Sequence, residues 1–453
     1  MDQVIYLLVL PSIAVLIPLA SQRLGRVLTP GLAFVTAAAS TEMLVRGYTS
    51  STANLYIDTY SLVIVNVVAW IYLFASLASL YYVENVRKPF FKPRYYWSLL
   101  SLFALTMIFT AIVSNLGWMW IGLEATTVVS ALLIITDGKK RNVEGAWRYM
   151  IIASAGLGIA FLAVILAYSS TGTLDVRRLT FTPREGILVS LLALIGFGTK
   201  IGLFPMHSWL PDAHGSAPSP VSAMLSGTLL PTALLVYYRI FSASGGLSDV
   251  PARITLLVGV TTLMVAAVLM ASQRFIKRLL AYSSMDMMGV ATTGIALSYY
   301  HPALLRLVFL LIAVHAFSKG ALFISAGSMV RAYESHEIDG ITGLLHSTRL
   351  TGHSFVLSAL SVTGTPPFGT FIAELGIIGV ALSISYWWAF FIGMGLLLSF
   401  LALNWHSARM VFGESGKVRL PLGEEAIPFA MTLVALGISL YAWYLVVTGG
   451  LVI

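Results

Sequence analysis

Gly196-Phe197-Gly198-Thr199-Lys200-Ile201-Gly202-Leu203-Phe204-Pro205 places a lysine between glycines inside an apolar run that continues on both sides. An ionisable group at membrane depth costs roughly 2.5–3.5 kcal/mol on insertion scales. No Asp or Glu lies within the ten residues before Lys200, so any counter-charge must come from another helix. Gly and Pro here also deny the backbone its hydrogen bonds. At membrane depth that is tolerated only where the freed groups are buried in protein or line a cavity. The stretch therefore predicts a many-helix membrane bundle with an interrupted seventh helix and a buried charge.

Composition agrees. Of 453 residues, 58% are hydrophobic and 10% charged, against about 25% charged in a soluble domain. Mean hydropathy is +0.88. There are no cysteines, which excludes disulfides, thiol redox chemistry and iron–sulfur clusters within this chain. The net charge of +8 falls in short loops and needs no nucleic-acid partner. Val4 to Ala20 has neither a basic leader nor a small-residue cleavage site, so it reads as a retained helix.

A span needs about 20 apolar residues. Fourteen such stretches begin near Val4, Pro30, Tyr60, Tyr96, Gly117, Ala146, Ile187, Ala217, Ile254, Leu279, Pro302, Ser354, Tyr386 and Ala426. If both termini face outside, the odd-numbered loops are cytoplasmic. Those loops and their flanks hold Arg23, Arg26, Arg87, Lys88, Lys92, Arg94, Lys139, Lys140, Arg141, Arg148, Arg274, Lys277, Arg278, Arg331, Arg349, Arg409, Lys417 and Arg419, eighteen in all. The opposite side holds six: Arg46, Arg177, Arg178, Arg184, Arg239 and Arg253. The asymmetry predicts both ends outside.

A second interruption, Thr363-Gly364-Thr365-Pro366-Pro367-Phe368-Gly369, precedes Glu374 in the twelfth span. Paired breaks in corresponding positions point to inverted repeats with an ion site at their interface. The expected division is 1–94 for helices one to three, 95–241 and 242–412 for two five-helix repeats, and 413–453 for a last helix. That register sets Glu124 opposite Asp286 and Lys200 opposite Glu374.

Each buried charge has a plain reading beside the functional one. Glu124 is either an inert protonated carboxyl or the partner of Lys200. Burial raises a carboxyl pKa and lowers an amine pKa, and pairing pushes both back, so making or breaking the pair moves a proton. Snorkelling by Lys200 is weakened by the length of apolar chain around it. His207, beyond Pro205, is a loop histidine or a point of proton entry. His315 and Lys319, four apart, share a helix face; histidine titrates near neutral pH, and no carboxylate or second His within a turn supports a metal. Glu374 would end the chain of stations. Asp286, a few residues inside a span, fits either the relay or a helix end. No phosphate cradle, zinc helix or Ser/His/Asp set is present, so the chain reads as non-catalytic, without cofactor or metal.

Asn115-Leu-Gly-Trp-Met-Trp-Ile-Gly-Leu-Glu-Ala-Thr-Thr127, Gly198-Thr-Lys-Ile-Gly-Leu-Phe-Pro-Met-His-Ser-Trp-Leu-Pro-Asp-Ala-His214, Ala217-Pro-Ser-Pro-Val-Ser-Ala223, Lys277-Arg-Leu-Leu-Ala-Tyr-Ser-Ser284 and Gly364-Thr-Pro-Pro-Phe-Gly369 resemble the antiporter-like proton-translocating subunits of respiratory complex I and its relatives. The hydrogenase-4 component F branch of group 4 membrane-bound hydrogenases is the nearest in pattern, over roughly residues 95 to 410. The resemblance implies an all-α polytopic fold of about fourteen helices, two inverted five-helix repeats, and broken helices seven and twelve. By motif, Glu124 matches the helix-five glutamate, Lys200 the helix-seven lysine, His315 and Lys319 the helix-eleven pair, and Glu374 the helix-twelve carboxylate. There are departures. Pro231 stands where many relatives carry a helix-eight Lys or His, Leu311 where some have a second His, and Phe275 where an aspartate is common.

These readings lead to a proton-translocating membrane-arm subunit of a redox-driven complex of hydrogenase or quinone-reductase type, in the plasma membrane. Its partners would be other membrane subunits, peripheral redox subunits and the lipid bilayer. The alternatives are a subunit of a multisubunit Mrp-type cation/proton antiporter, or a non-pumping structural spacer whose relay is interrupted at Pro231.

Overall fold

A computed structural model describes residues 2–84, 86, 89–245, 248–413 and 419–451. Arg87, Lys88 and Lys417, three of the loop cations counted above, lie outside the described residues. The chain divides into two compact units. The first takes in Met1–Gly202 and Met206–Pro251, the second Leu203–Pro205 and Ala252–Ile453.

The first unit holds α1 (Asp2–Ala20), α2 (Gln22–Val45), a short antiparallel ribbon of β1 (Ser50–Ser51) and β2 (Tyr56–Ile57), α3 (Thr59–Glu84), α4 (Pro93–Ile112) and α5 (Leu116–Ile134). It continues through α6 (Lys140–Thr171), α7 (Pro183–Ile201), α8 (Trp209–Ser216), α9 (Ser219–Met224) and α10 (Leu230–Ala243). From α11 (Val250–Ala271) the chain enters the second unit, with α12 (Ile276–Leu297), α13 (Leu304–Ala332), α14 (Leu344–Ser347), α15 (Arg349–Val362), α16 (Gly369–Ile384), α17 (Tyr386–Val411) and α18 (Leu422–Val447).

Every one of the fourteen apolar stretches read from the sequence contains helix. Among the described residues, ten helices are long and apolar enough to cross a membrane, and Val4–Ala20 and Gly369–Ile384 are shorter apolar helices. The other two are diluted by polar groups: α7 carries Arg184, Glu185 and Lys200, and α12 carries Ser283, Ser284, Asp286, Thr292 and Thr293. With Leu16, Val27, Trp147, Leu397, Trp405 and Tyr444 all exposed, the outer surface suits acyl chains. The protein is a multi-pass membrane protein.

Loop contacts sort the two ends of each unit. In the first, Leu55 bridges Val113, Asn115 bridges Asp175, and Arg239 grips Asp58, so the second, fourth and sixth loops meet at one end. At the other end, Phe90 N donates to Thr136 O at 2.9 Å and Arg148 lies 3.5 Å from Asp212. In the second unit Phe275 bridges Glu337 and Arg409 pairs with Asp339, which joins the ninth, eleventh and thirteenth connections. This is the alternation expected of a chain that reverses at each span.

Local sequence explains the interruptions. Helix α7 starts at Pro183 behind Thr182, whose backbone N–H donates to Glu185 at 2.9 Å. It ends at Gly202, whose φ of +86° a side chain would resist. Helix α15 ends at a second left-handed glycine, Gly364 (φ +62°). There Thr365 N reaches back to Leu360 O at 3.1 Å, and Pro366 and Pro367 forbid continuation. A third irregularity is a π-helical turn, Leu225–Leu229, between α9 and α10. Pro231 follows it. Its ring would collide with the Gly227 carbonyl in an α-helix and it has no N–H to donate, so the turn widens.

Candidate functional site

Lys200 is completely buried. Helix α7 delivers its amine to α5 and α6, where Nζ donates to Thr127 Oγ1 at 2.7 Å and to Tyr149 Oη at 2.6 Å. Nζ also lies 4.9 Å from the Tyr149 ring centroid, an added cation–π attraction. The tyrosine is itself held: its Oη is 2.8 Å from Ser130 Oγ, and its ring sits 4.8 Å from that of Trp209 on α8. Trp209 Nε1 returns to Thr199 O at 2.7 Å, beside Lys200. A closed polar circuit thus fixes the lysine.

Glu124 is half-buried one turn before Thr127, on the same face of α5. Its Oε1 accepts from Ser154 Oγ at 2.7 Å, and its Oε2 is buried without a hydrogen-bond partner. The expected direct Glu124–Lys200 pair is not formed in this state. Each is held by neutral groups instead, and Thr127, which accepts from Lys200, lies one turn from Glu124 on α5. His207 lies half-buried in the turn between α7 and α8.

Pro231 is the second residue of α10, two residues beyond the π-helical turn. There Thr228 Oγ1 donates to Met224 O at 2.5 Å and Thr232 Oγ1 to Thr228 O at 2.8 Å. Hydroxyls and a widened backbone turn occupy this stretch of the chain.

The second unit has its own buried set. Lys319 on α13 is completely buried and donates to Leu280 O of α12 at 3.0 Å. His315, one turn earlier, is equally buried. Glu374 on α16 is buried, and its Oε1 has no hydrogen-bond partner. Asp286 corrects the sequence reading. It lies midway along α12, not near a helix end, and is almost completely buried, with Oδ1 accepting from Ser399 Oγ at 2.6 Å. The helix begins at Ile276, three residues before the expected start, and the difference moves Asp286 into the middle.

Two buried charge groups were not singled out from the sequence, because they stand at helix ends and read as loop charges. Arg239 on α10 forms a bidentate pair with Asp58, at 2.6 and 2.7 Å, donates to Ser61 Oγ at 2.9 Å, and lies over the Tyr56 ring at 4.6 Å. Burial pushes the Asp58 carboxyl up, but Arg239 and Ser61 together outweigh it and hold it below the usual carboxylate range. Glu424 and Glu425 open α18 and are both buried. Glu424 accepts from Ser328 and Arg331, and Glu425 accepts from Thr351 N at 3.1 Å.

Buried lysines among neutral acceptors and buried carboxylates, carried on a bundle of apolar helices, fit an antiporter-like membrane subunit. A profile of the NADH:quinone oxidoreductase/Mrp antiporter transmembrane family matches residues 113–401. The chain belongs to that family. It is 30% identical over 352 residues to a hydrogenase-4 component F homolog of Methylacidiphilum infernorum (isolate V4), covering 74% of this chain and 73% of the relative. Its fold superposes on a chain of the Mrp complex from Dietzia sp. DQ12-45-1b with a TM-score of 0.87 at 18% identity, covering 98% of this chain and 96% of that one. It also superposes on a chain of the membrane-bound sulfane sulfur reductase, an archaeal respiratory membrane complex. That TM-score is 0.87 at 20% identity, with 99% and 97% coverage.

Proposed function

We propose that the chain is a proton-translocating membrane-arm subunit of a redox-driven complex, working through Lys200 and Glu124 in its first unit and Lys319, His315, Asp286 and Glu374 in its second. One observation carries the reading. Both lysines are completely buried, and their amines donate to neutral oxygens, not to carboxylates. The protonation of an amine so placed responds to nearby charge, since every ~1.4 kcal/mol of electrostatic change shifts a pKa by one unit.

Charge displaced by electron transfer in a partner subunit would draw Lys200 from Thr127 and Tyr149 toward Glu124, and its proton would be held or released accordingly. The likeness to hydrogenase-4 component F supports a redox-driven partner set, and peripheral redox subunits are part of this proposal. So are the plasma membrane, both termini outside, the proton-entry role of His207, and the four-part division at 94, 241 and 412. The cation asymmetry supports the orientation, and the sorting of loops to opposite ends of the first unit supports the alternation of spans on which it depends.

The likeness to a chain of an Mrp complex favours a second reading, a cation/proton antiporter subunit working without electron transfer. Purification of the assembled complex decides between them by its subunits. Proton uptake into vesicles tests the site: transport lost in Lys200→Ala and Glu374→Ala, with assembly intact, is expected. Transport unchanged in both would overturn the mechanism.

A further inference from the structure

Helices α13, α15 and α18 pack on one another in the second unit, and each turns a polar face into the shared seam. On α15, Thr351, Ser354, Ser358 and Ser361 recur at intervals of three and four, which is one face of a helix. All four are completely buried. On α13 the buried Ser318, Ser325 and Ser328 share a face, and on α18 Glu425 and Thr432 are seven apart. Ser354 Oγ and Ser358 Oγ lie 2.8 and 2.9 Å from Thr432 Oγ1, and Ser361 Oγ lies 2.7 Å from Ser318 Oγ.

The seam starts at the end of the unit where Phe275 bridges Glu337, at the buried carboxylates Glu424 and Glu425. It ends at Ser318, the residue before Lys319. Two hydroxyls along it, Thr351 Oγ1 and Ser325 Oγ, are buried without a hydrogen-bond partner. Hydroxyl pairs can simply hold helices together, but that role does not call for the two orphans, which here line one seam. Orphaned hydroxyls between a carboxylate and an amine are what a chain of transient water molecules requires.

We propose that this seam is a proton-uptake path serving Lys319: Glu425 takes a proton at the surface end, and it passes by hydrogen-bond exchange, with water bridging the gaps, through Thr351, Ser354, Thr432, Ser358 and Ser361 to Ser318, and from Ser318 through further bridging water to the amine, which donates to the Leu280 carbonyl of α12. Each hydroxyl accepts one proton as it donates another, so no group changes charge along the way. Pro428 inside α18 adds to the polarity of the entrance, since it cannot donate to the Glu424 carbonyl one turn before it. The proposal rests on the translocation role given above to Lys319.

The test is proton influx into liposomes carrying the purified complex, driven by a potassium diffusion potential with valinomycin and read by a trapped pH dye. Thr432→Val keeps the side-chain shape and removes the hydroxyl; Thr432→Ser keeps the hydroxyl. Thr432→Val and Glu425→Gln are each expected to slow influx about tenfold or more, with Thr432→Ser within about twofold of the parent. Wild-type influx in Thr432→Val and Glu425→Gln, with influx abolished in Lys319→Ala, overturns the path and leaves the role of Lys319 standing. Equal slowing in Thr432→Val and Thr432→Ser also overturns it, because packing alone would then account for the effect. Wild-type influx in Lys319→Ala removes the translocation reading and the path with it. If Thr432→Val fails to assemble, Glu425→Gln decides alone.

Discussion

The Glu374 carboxyl occupies the space that a side chain on Gly364 would need: a Cβ built on that glycine would lie 1.8 Å from Glu374 Oε2. The glycine serves twice. Its φ of +62° closes α15, and its bare Cα lets an acid on the following helix fold back against the break. Gly364→Ala therefore costs on the order of 1–2 kcal/mol in the left-handed backbone and pushes the carboxyl aside. The expected outcome is a folded, less stable protein whose proton translocation in vesicles falls toward that of Glu374→Ala. Transport at the wild-type rate would show that the position of the carboxyl is immaterial.

Tyr149 is the partner through which Lys200 is anchored to Ser130. Tyr149→Phe removes one acceptor from a completely buried amine and one partner from a buried serine. The expected loss of stability is about 1–3 kcal/mol, read as a lower midpoint of thermal unfolding in detergent. Thr127→Val removes the other acceptor, the one nearest Glu124 along α5. It is expected to impair translocation more than Tyr149→Phe at a similar cost in stability, because Thr127 lies one turn from Glu124 on the same face of α5.

How much of this was legible in the chain depends on charge. Lys200, Lys319, His315 and Glu374 stood out because an ionisable residue in an apolar run is expensive wherever it points. Thr127, Tyr149 and Ser130 did not, since a hydroxyl in a helix can bond to its own backbone and carries no signal of a distant partner. Asp286 reads in the sequence as either a relay group or a helix-end group, because periodicity fixes the existence of a helix better than its first residue. Here α12 begins at Ile276, so Lys277 and Arg278, which read as loop cations, lie within it. Glu424, Glu425 and Arg239 were hidden for the opposite reason. They sit at helix ends, where charges are ordinary, and only the packing shows them buried. That α7 ends at Gly202 and α15 just before Gly364 was readable from Gly and Pro alone. The π-helical turn before Pro231 was not, because proline announces a disturbance without saying which form it takes.

The position of Asp286 gives its own test. Asp286→Asn keeps an acceptor for Ser399 Oγ but removes the titratable carboxyl from the middle of α12. If Asp286 belongs to the second unit's buried set, the variant assembles normally and translocates as poorly as Lys319→Ala. Wild-type translocation would return Asp286 to a structural role.

The Asp58–Arg239 pair predicts how the protein responds to acid. The folded-state pKa of Asp58 is depressed, so its contribution to stability is present above the unfolded value of about 3.9. It is lost as pH falls through the lower folded value. Stability measured by thermal unfolding in detergent should therefore be insensitive to this pair near neutral pH and decline below about pH 4. Asp58→Asn should remove that part of the acid dependence and destabilise the protein at pH 7, because Arg239 is left buried with its main partner uncharged. Breaking a buried pair from one side costs about 3–5 kcal/mol; the part-exposed Asp58 places this case at or below the lower end. Replacing both residues, as in Asp58→Leu with Arg239→Met, should recover most of the loss, since an apolar pair needs no charge partner. An unchanged acid profile in Asp58→Asn would show that the pair does not couple to folding.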